Sequence, residues 1–544
     1  MKILKLVLII PAILVTNYLS FAQSLSSSIS NNFQFGTGFE NFGEGGFVSK
    51  IKKEYFENYT DARFFLSNFT LGFRLEVSNP PEYGLPYKGI RKKYIEFEKE
   101  GLSIRAGDLY TLFSRGLSLN LFEERPLGYD SNLEGIKIGY SNSFLKSELV
   151  GGDIDFLVPS TILTEDKRIE KYKIRAASLR LIPADFFSFG GNFVWSENKL
   201  PNIVTTTDTT IVKIPEYFFR LSLFDFDLYA SYATKFTSIS GKDSSRGSAF
   251  YSSLTHSGDG FGITFEYKDY RFDIVDQFLR SDPFRSTAML SFQNPPIVHK
   301  EHLFSLLKRY PHITDFNDEV GFQIDAFLSL NSQTTLNGNI AISSRHYEYD
   351  LDPMTFKLSK IESWSSLFPS LSEKRDPFWE IYFDVEYILD DNFENYIRLA
   401  FNRRSATVYD ILNPLSKIQP TRLTTIPMEI QHVLSGSWSL KFISESQWVK
   451  RFPISERYFN QLFAIAVSKS PSISLGIKWE FTSSDFEPES KKNWIIVEGS
   501  YRFGTNHLLI LAFGDERGGV VCSNGICRQV YPFSGFRMTL TSNI

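Results

Sequence analysis

The chain has 544 residues, with 58 Lys and Arg against 62 Asp and Glu and a net charge of -4, so it lacks the basic excess of a nucleic-acid binder. Aromatic residues reach 16%, with 52 Phe and 26 Tyr. The two Cys, Cys522 and Cys527, have no second pair with which to build a zinc site.

At the N-terminus, Lys2 and Lys5 precede an apolar stretch from Leu6 to Val15, and Ser20 and Ala22 are small residues at the -3 and -1 positions of a cleavage site. This predicts a signal peptide over 1–22, cleavage before Gln23 and one domain over 23–544. No Cys follows the apolar stretch, which argues against a lipoprotein. No later apolar run reaches the roughly 18 residues of a membrane helix. Few residues separate the cleavage site from the first strand pattern, which argues against a receptor with its own N-terminal plug.

From about Ser30 onward, apolar and polar residues alternate, the pattern of strands with two unlike faces. In 105–140, Leu117, Leu119 and Leu121 alternate with Ser118 and Asn120. Ile136, Ile138 and Tyr140 alternate with Lys137 and Gly139. Between them lie Glu123, Glu124, Arg125, Pro126, Gly128 and Asp130, so this stretch reads as two strands joined by a tight charged loop. Phe261 to Tyr267, Phe322 to Leu330, Trp379 to Tyr387, Ile397 to Phe401, Ile473 to Phe481 and Phe536 to Leu540 repeat the alternation. Runs of about nine to eleven residues match a tilted strand crossing a bilayer.

Alternation alone fits a soluble sandwich as well as a membrane barrel. The connections separate the two. Short turns at 141–142, 184–185, 224–225, 390–391, 435–436 and 504–506 alternate with long polar stretches at 151–170, 196–215, 235–246, 344–377, 403–425 and 482–492. Outer-membrane barrels alternate in this way. The expected fold is all-β: a large antiparallel transmembrane barrel of roughly 22–26 strands. One segment departs from it. After Asn294-Pro295-Pro296, the spacing of Leu303, Phe304, Leu307 and Tyr310 predicts a helix over 297–310, ended by Pro311, that either packs over a loop, the favoured placement, or folds into the lumen as a constriction.

Arg105, Arg115, Glu123, Glu124, Arg125 and Asp130 form a candidate lumen or loop charge cluster, either an inward constriction or ion-binding patch or else a solvated loop or structural ion-pair knot, with Arg105 and Arg115 as candidate partners for the carboxylates. His299 and His302 are three residues apart but have no third ligand in view, so neither metal nor another cofactor is expected. No catalytic motif appears, and no catalytic residue is assigned. Cys522 and Cys527 flank a hairpin with Asn524-Gly525 as its two-residue turn. That register sets them as a non-hydrogen-bonded pair whose Cα atoms lie about 4.5 Å apart. A disulfide spans such a distance, and the hairpin is expected to project outside the cell from the last two strands.

Three stretches, 105–140, 294–330 and 522–542, resemble an uncharacterised family of predicted bacterial outer-membrane proteins, a domain of unknown function. The resemblance implies an exported β-barrel and brings no activity or catalytic residues with it. The expected function is a porin-like channel for small polar solutes in the outer membrane of a Gram-negative bacterium. A structural or surface-anchoring barrel with an envelope protein partner is the alternative, and a barrel-embedded hydrolase is third. Outer-membrane lipid is the expected surrounding.

Overall fold

The computed structural model describes residues 25–544 apart from 43–48, 158–168, 202–206, 240–241, 273–289, 352–357, 365, 393, 409–418, 453–455, 486, 488–490 and 524–525. The segment read as a signal peptide and the Asn524-Gly525 turn lie outside the described residues.

A sheet of 24 strands forms the wall. Each strand pairs antiparallel with its neighbours, and Ser26–Phe42 pairs both with Ser49–Leu66 and with Phe533–Asn543, which closes the sheet into a barrel. At the seam, the backbones of Ile29 and Ile544 exchange hydrogen bonds of 2.8 and 2.7 Å. The strand number falls inside the expected range. Closure leaves no unpaired edge in the wall.

Burial along the strands is the reverse of that in a globular protein. In Ile473–Thr482, Ile473, Leu475 and Ile477 are exposed, whereas Glu480 on the other face is buried. In Phe378–Ile388, Ile381 and Phe383 are exposed, and Glu380 and Asp384 are buried. Successive side chains of a strand point to opposite faces. The apolar set therefore faces outward as a continuous belt, and the charged set faces the bore. An apolar surface of that extent is stable only when covered.

One rim carries the short turns, such as Glu100-Gly101, whose backbone takes φ of 50° and 84°, and Gly436-Ser437. Long connections leave from the other rim. Several of those expected from sequence contain strand: Leu145–Leu157 and Ile169–Ala184 extend into 151–170, and Tyr396–Val408 and Gln419–Ser435 extend into 403–425. Outward residues turn charged above the apolar belt, so the hydropathy signal ends there, but backbone pairing continues.

Two sequence expectations are corrected. Leu117, Leu119 and Leu121 do not form a wall strand. The wall runs directly from Leu102–Leu109 to Leu133–Ser141, which pair with each other, and residues 110–132 fold into the bore. Alternation there reflects two unlike neighbours inside the lumen, not lipid and water. Likewise, 297–310 is not a ten-residue helix, and of its two expected placements the structure shows the lumen and not the loop. Only Ser305–Lys308 is helical, and the segment lies inside the barrel. The wall's side chains bond its backbone, which removes the need for helical hydrogen bonds.

A candidate gate in the filled lumen

Two connections enter the bore from the long-loop rim. The first, 110–132, places Phe113, Leu117, Leu119, Leu121 and Leu127 in one apolar cluster with inward wall residues such as Val150, Ile174, Val194 and Ile214. Leu117 and Leu119 are fully buried. On its polar side, Ser118 bonds Glu216 of the wall, and Asn120 bonds the backbone of Asn294 in the second connection at 3.2 Å. Gly116 allows this close approach, since a Cβ there would lie 2.6 Å from the Asn294 carbonyl oxygen.

The second connection, 290–318, crosses the lumen as a strap. Phe292 packs against Tyr172, and Tyr270 donates to the Pro296 carbonyl at 2.8 Å. Lys268 pairs with Glu319 at 2.7 Å, and His312 meets the same carboxylate at 2.9 Å. Further along, His302 meets Glu380 at 2.8 Å, and Arg404 donates to the Leu307 carbonyl at 2.7 Å. Glu445, projecting from Trp438–Arg451, accepts the N–H groups of Ser305 and Leu306 at 2.9 and 2.6 Å. Gln447 donates to the Leu306 carbonyl at 2.8 Å. Arg309 pairs with Glu480 at 2.5 Å, and Tyr458 bonds Tyr310 at 2.6 Å. The strap thus runs from strands near Tyr172 and Tyr270 to strands near Tyr458 and Glu480.

Of the expected charge cluster, Glu123, Arg125 and Asp130 come together. Arg74 and Lys92 from the wall each approach Glu123 at 2.9 Å, Arg125 does so at 2.9 Å, and Lys92 reaches Asp130 at 3.2 Å. Tyr110 donates to Asp130 at 2.7 Å. Burial pushes the Glu123 carboxyl up, but Lys92, Arg125 and Arg74 outweigh it and hold it down at about 2. Arg105 and Arg115 do not serve these carboxylates as expected. Arg105 stacks on Tyr94 and bonds the Asp108 carbonyl, and Arg115 lies over Tyr229. Glu124 accepts from Ser523 at 3.5 Å.

The hairpin Gly519–Ser523 and Ile526–Val530 sets Cys522 directly opposite Cys527, the register expected from sequence. It does not project away from the barrel. Ile526 is buried in the lumen cluster, and Arg309 donates to the Gly518 carbonyl at 2.8 Å. Strand register fixes cross-strand pairs but leaves the tilt of a hairpin against the wall open, and the apolar Ile526 decides it.

His299 is not paired with His302. Its ring lies 5.3 Å from that of His312, and burial, with the charges of His312 and Lys268, pushes it down to about 3. Among the described residues, no three His, Cys, Asp or Glu gather as a metal site. Sequence reading missed Arg74, Lys92, Glu380, Arg404, Glu445 and Glu480. Their only signal was charge on the polar face of an apolar strand, which marks an inward position but not a partner.

A closed barrel with an apolar outer belt and a charged bore filled by its own connections is a membrane β-barrel. The chain belongs to DUF6029, a family of unknown function that matches residues 1–544. No curated protein matches it. Among solved structures, it is similar to the siderophore receptor PirA from Pseudomonas aeruginosa over 96% of this chain and 81% of that one, with 7% identity and a TM-score of 0.45. The P pilus usher (PapC) translocation pore matches over 95% and 99% of the two chains, with 8% identity and a TM-score of 0.40. OccD1 (OprD) matches over 84% and 96%, with 12% identity and a TM-score of 0.33. Likeness at this level says nothing about what the chain handles.

Proposed function

We propose that the protein is a gated channel for small polar solutes in the outer membrane of a Gram-negative bacterium, exported by a signal peptide over 1–22 and closed in the state described here. One observation carries this reading: the strap crosses the long-loop half of a bore whose other half is lined by exposed charge. Arg220 lies on the inward face two residues beyond buried Phe218, and Glu498 and Arg502 share the inward face of Trp494; all three are exposed. A charged, wet lumen is what a polar solute crosses. Between His302 and Tyr310 most of the strap's ties are hydrogen bonds and ion pairs, which an entering ligand or a partner exchanges more readily than packed apolar surface.

Conductance in planar bilayers tests the gate. The wild-type protein is expected to stay closed, and Glu445→Ala combined with Gln447→Ala to give stable openings, with unboiled gel mobility showing that the barrel remains closed on itself. Silence of a folded variant under all conditions would favour the assembly or surface-anchoring role.

A further inference from the structure

We propose that the segment 366–372 seats Leu367, Phe368 and Leu371 in the acyl layer of the outer leaflet, as a foot resting on the membrane beside the barrel. The proposal rests on the membrane reading of the barrel. Two hydrogen bonds set the segment against the outside of the wall. Tyr267 shares the outward face of Phe261–Arg271 with exposed Ile263 and Phe265. Its hydroxyl donates to the Leu367 carbonyl at 2.7 Å. One row nearer the long-loop rim lie Asp269, Val320 and Ser344, on three adjacent strands. The Ser344 hydroxyl accepts the N–H of Ser370 at 2.8 Å. Val320, between them, also points outward, yet it is fully buried. A segment folded down over the wall produces that burial.

The overhang reaches the apolar belt. The row of Tyr267 continues through Phe322, Ile342 and Trp379, and the row below is Phe265, Ile324, Ile340 and Ile381. Phe265, Ile340 and Ile381 are exposed members of the belt. Counted along its strand from Phe261 at the short-turn end, Tyr267 stands about 15 Å up a belt about 25 Å tall. A segment tied to the outside of the wall at that height has acyl chains beside it. Leu367, Phe368 and Leu371 are 66%, 65% and 64% exposed, which extends the belt's own exposure outward. A docking face for a water-soluble protein would stand above the belt, where outward residues are charged.

Hydrocarbon requires backbone polar groups to be satisfied within the protein. Besides the two bonds to the wall, Trp364 Nε1 donates to the Phe368 carbonyl at 2.8 Å, and the Phe368 N–H donates to the Ser366 hydroxyl at 3.0 Å. Charge begins directly after the foot. Glu373 pairs with Arg422 at 3.4 Å and Lys374 with Glu348 at 3.2 Å, and both side chains are exposed. Such a change from apolar to charged marks the headgroup level. The same region grips the end of the strap: Arg345 pairs with Asp315 at 3.4 Å, and the His346 N–H donates to Asp318 at 2.9 Å. The Trp364 N–H in turn donates to the His346 carbonyl at 2.6 Å. A foot in the membrane thus fixes the strap's C-terminal end and leaves release to 302–310.

An environment-sensitive fluorophore on single cysteines tests the seat, in a full-length Cys522→Ser, Cys527→Ser background reconstituted in phosphatidylcholine vesicles. A probe at Leu367→Cys should be quenched by nitroxides on the acyl chains and shielded from aqueous iodide. Ile381→Cys, in the belt, should behave alike, and Glu373→Cys should show the reverse. Unchanged gel mobility of each variant keeps folding apart from immersion. Iodide access at Leu367→Cys equal to that at Glu373→Cys, with Ile381→Cys still quenched from the lipid, overturns the seat alone. A Leu367→Cys probe open to iodide in vesicles but shielded in the native envelope gives the patch to a protein partner and also overturns it. Iodide access at Ile381→Cys removes the membrane reading as well.

Discussion

Residues 110–132 and 290–318 occupy the same bore but are held there by different proportions of apolar and polar contact. The first lies against the wall on Leu117, Leu119, Leu121 and Phe113, and its charged loop is locked by Arg74 and Lys92. The second starts in the same apolar cluster with Leu290, Phe292 and Val298 and then, beside a small contact of Phe304 and Leu307 with Tyr382 and Ala400, spans the bore on polar ties from strands far apart in sequence, among them Glu380, Arg404, Glu445 and Glu480. Apolar burial is non-directional and is lost only when the surface itself separates. Polar ties can be exchanged one at a time for water or ligand. The comparison makes 110–132 a fixed lining and 302–310, where the polar ties gather, the movable part of the strap.

The largest expected effect is on the fixed part. Leu119→Ala should destabilise the protein by about 2–5 kcal/mol through lost burial and a residual cavity. Hydrogen exchange should register it over the whole of 110–132. A change confined to the strap would reverse the assignment of the two roles.

Next in size is Glu445→Ala, which leaves the N–H groups of Ser305 and Leu306 without their acceptor, a cost of about 1–3 kcal/mol. Exchange should quicken at 303–310 and leave 110–132 protected. Glu445→Gln, which keeps an acceptor oxygen, should fall between this variant and wild type.

Acid should separate the two connections in order. His299 is held neutral, so from its ordinary value of 6.5 down to about 3 an opened strap binds a proton that the docked strap refuses. Docking of the strap therefore weakens across that window as pH falls. Glu123 has the opposite chemistry, a depressed acid. Its contribution is complete above the ordinary 4.5 and is lost as pH falls to about 2. Exchange measured from pH 7 downward should show the strap loosening first and the knot second. Simultaneous loss would mean that they open as one unit.

The smallest effect should come from the cysteines. A disulfide between Cys522 and Cys527 closes so short a loop that its stabilisation falls below the roughly 3 kcal/mol of a 15-residue loop. Reduction should leave barrel stability nearly unchanged and loosen the hairpin over Glu124. Alkylation of both thiols in unreduced native protein, read by intact mass, would remove the disulfide.

The wall was legible in the sequence because each strand is short-range information. Ile473 to Phe481 shows its two faces by alternation, and the spacing of turns shows how the strands connect. The lumen was not legible. Leu117 to Leu121 alternates as a strand would, because any extended segment between unlike surroundings does. The spacing of Leu303, Phe304, Leu307 and Tyr310 imitates a helix, whereas the segment is held extended on both sides of one turn by wall residues as distant in sequence as Tyr458 and Glu480.

The sequence by itself therefore determined the all-β barrel, its approximate strand number, its apolar outer face and the pairing of Cys522 with Cys527 along the backbone. These follow from local alternation and turn chemistry, which act between near neighbours. Only the tertiary structure decided that Arg74 and Lys92 rather than Arg105 and Arg115 hold Glu123, that the strap crosses the bore, and that the Cys hairpin leans inward. Those outcomes depend on which inward side chains a closed ring of strands brings face to face, and no local pattern records that.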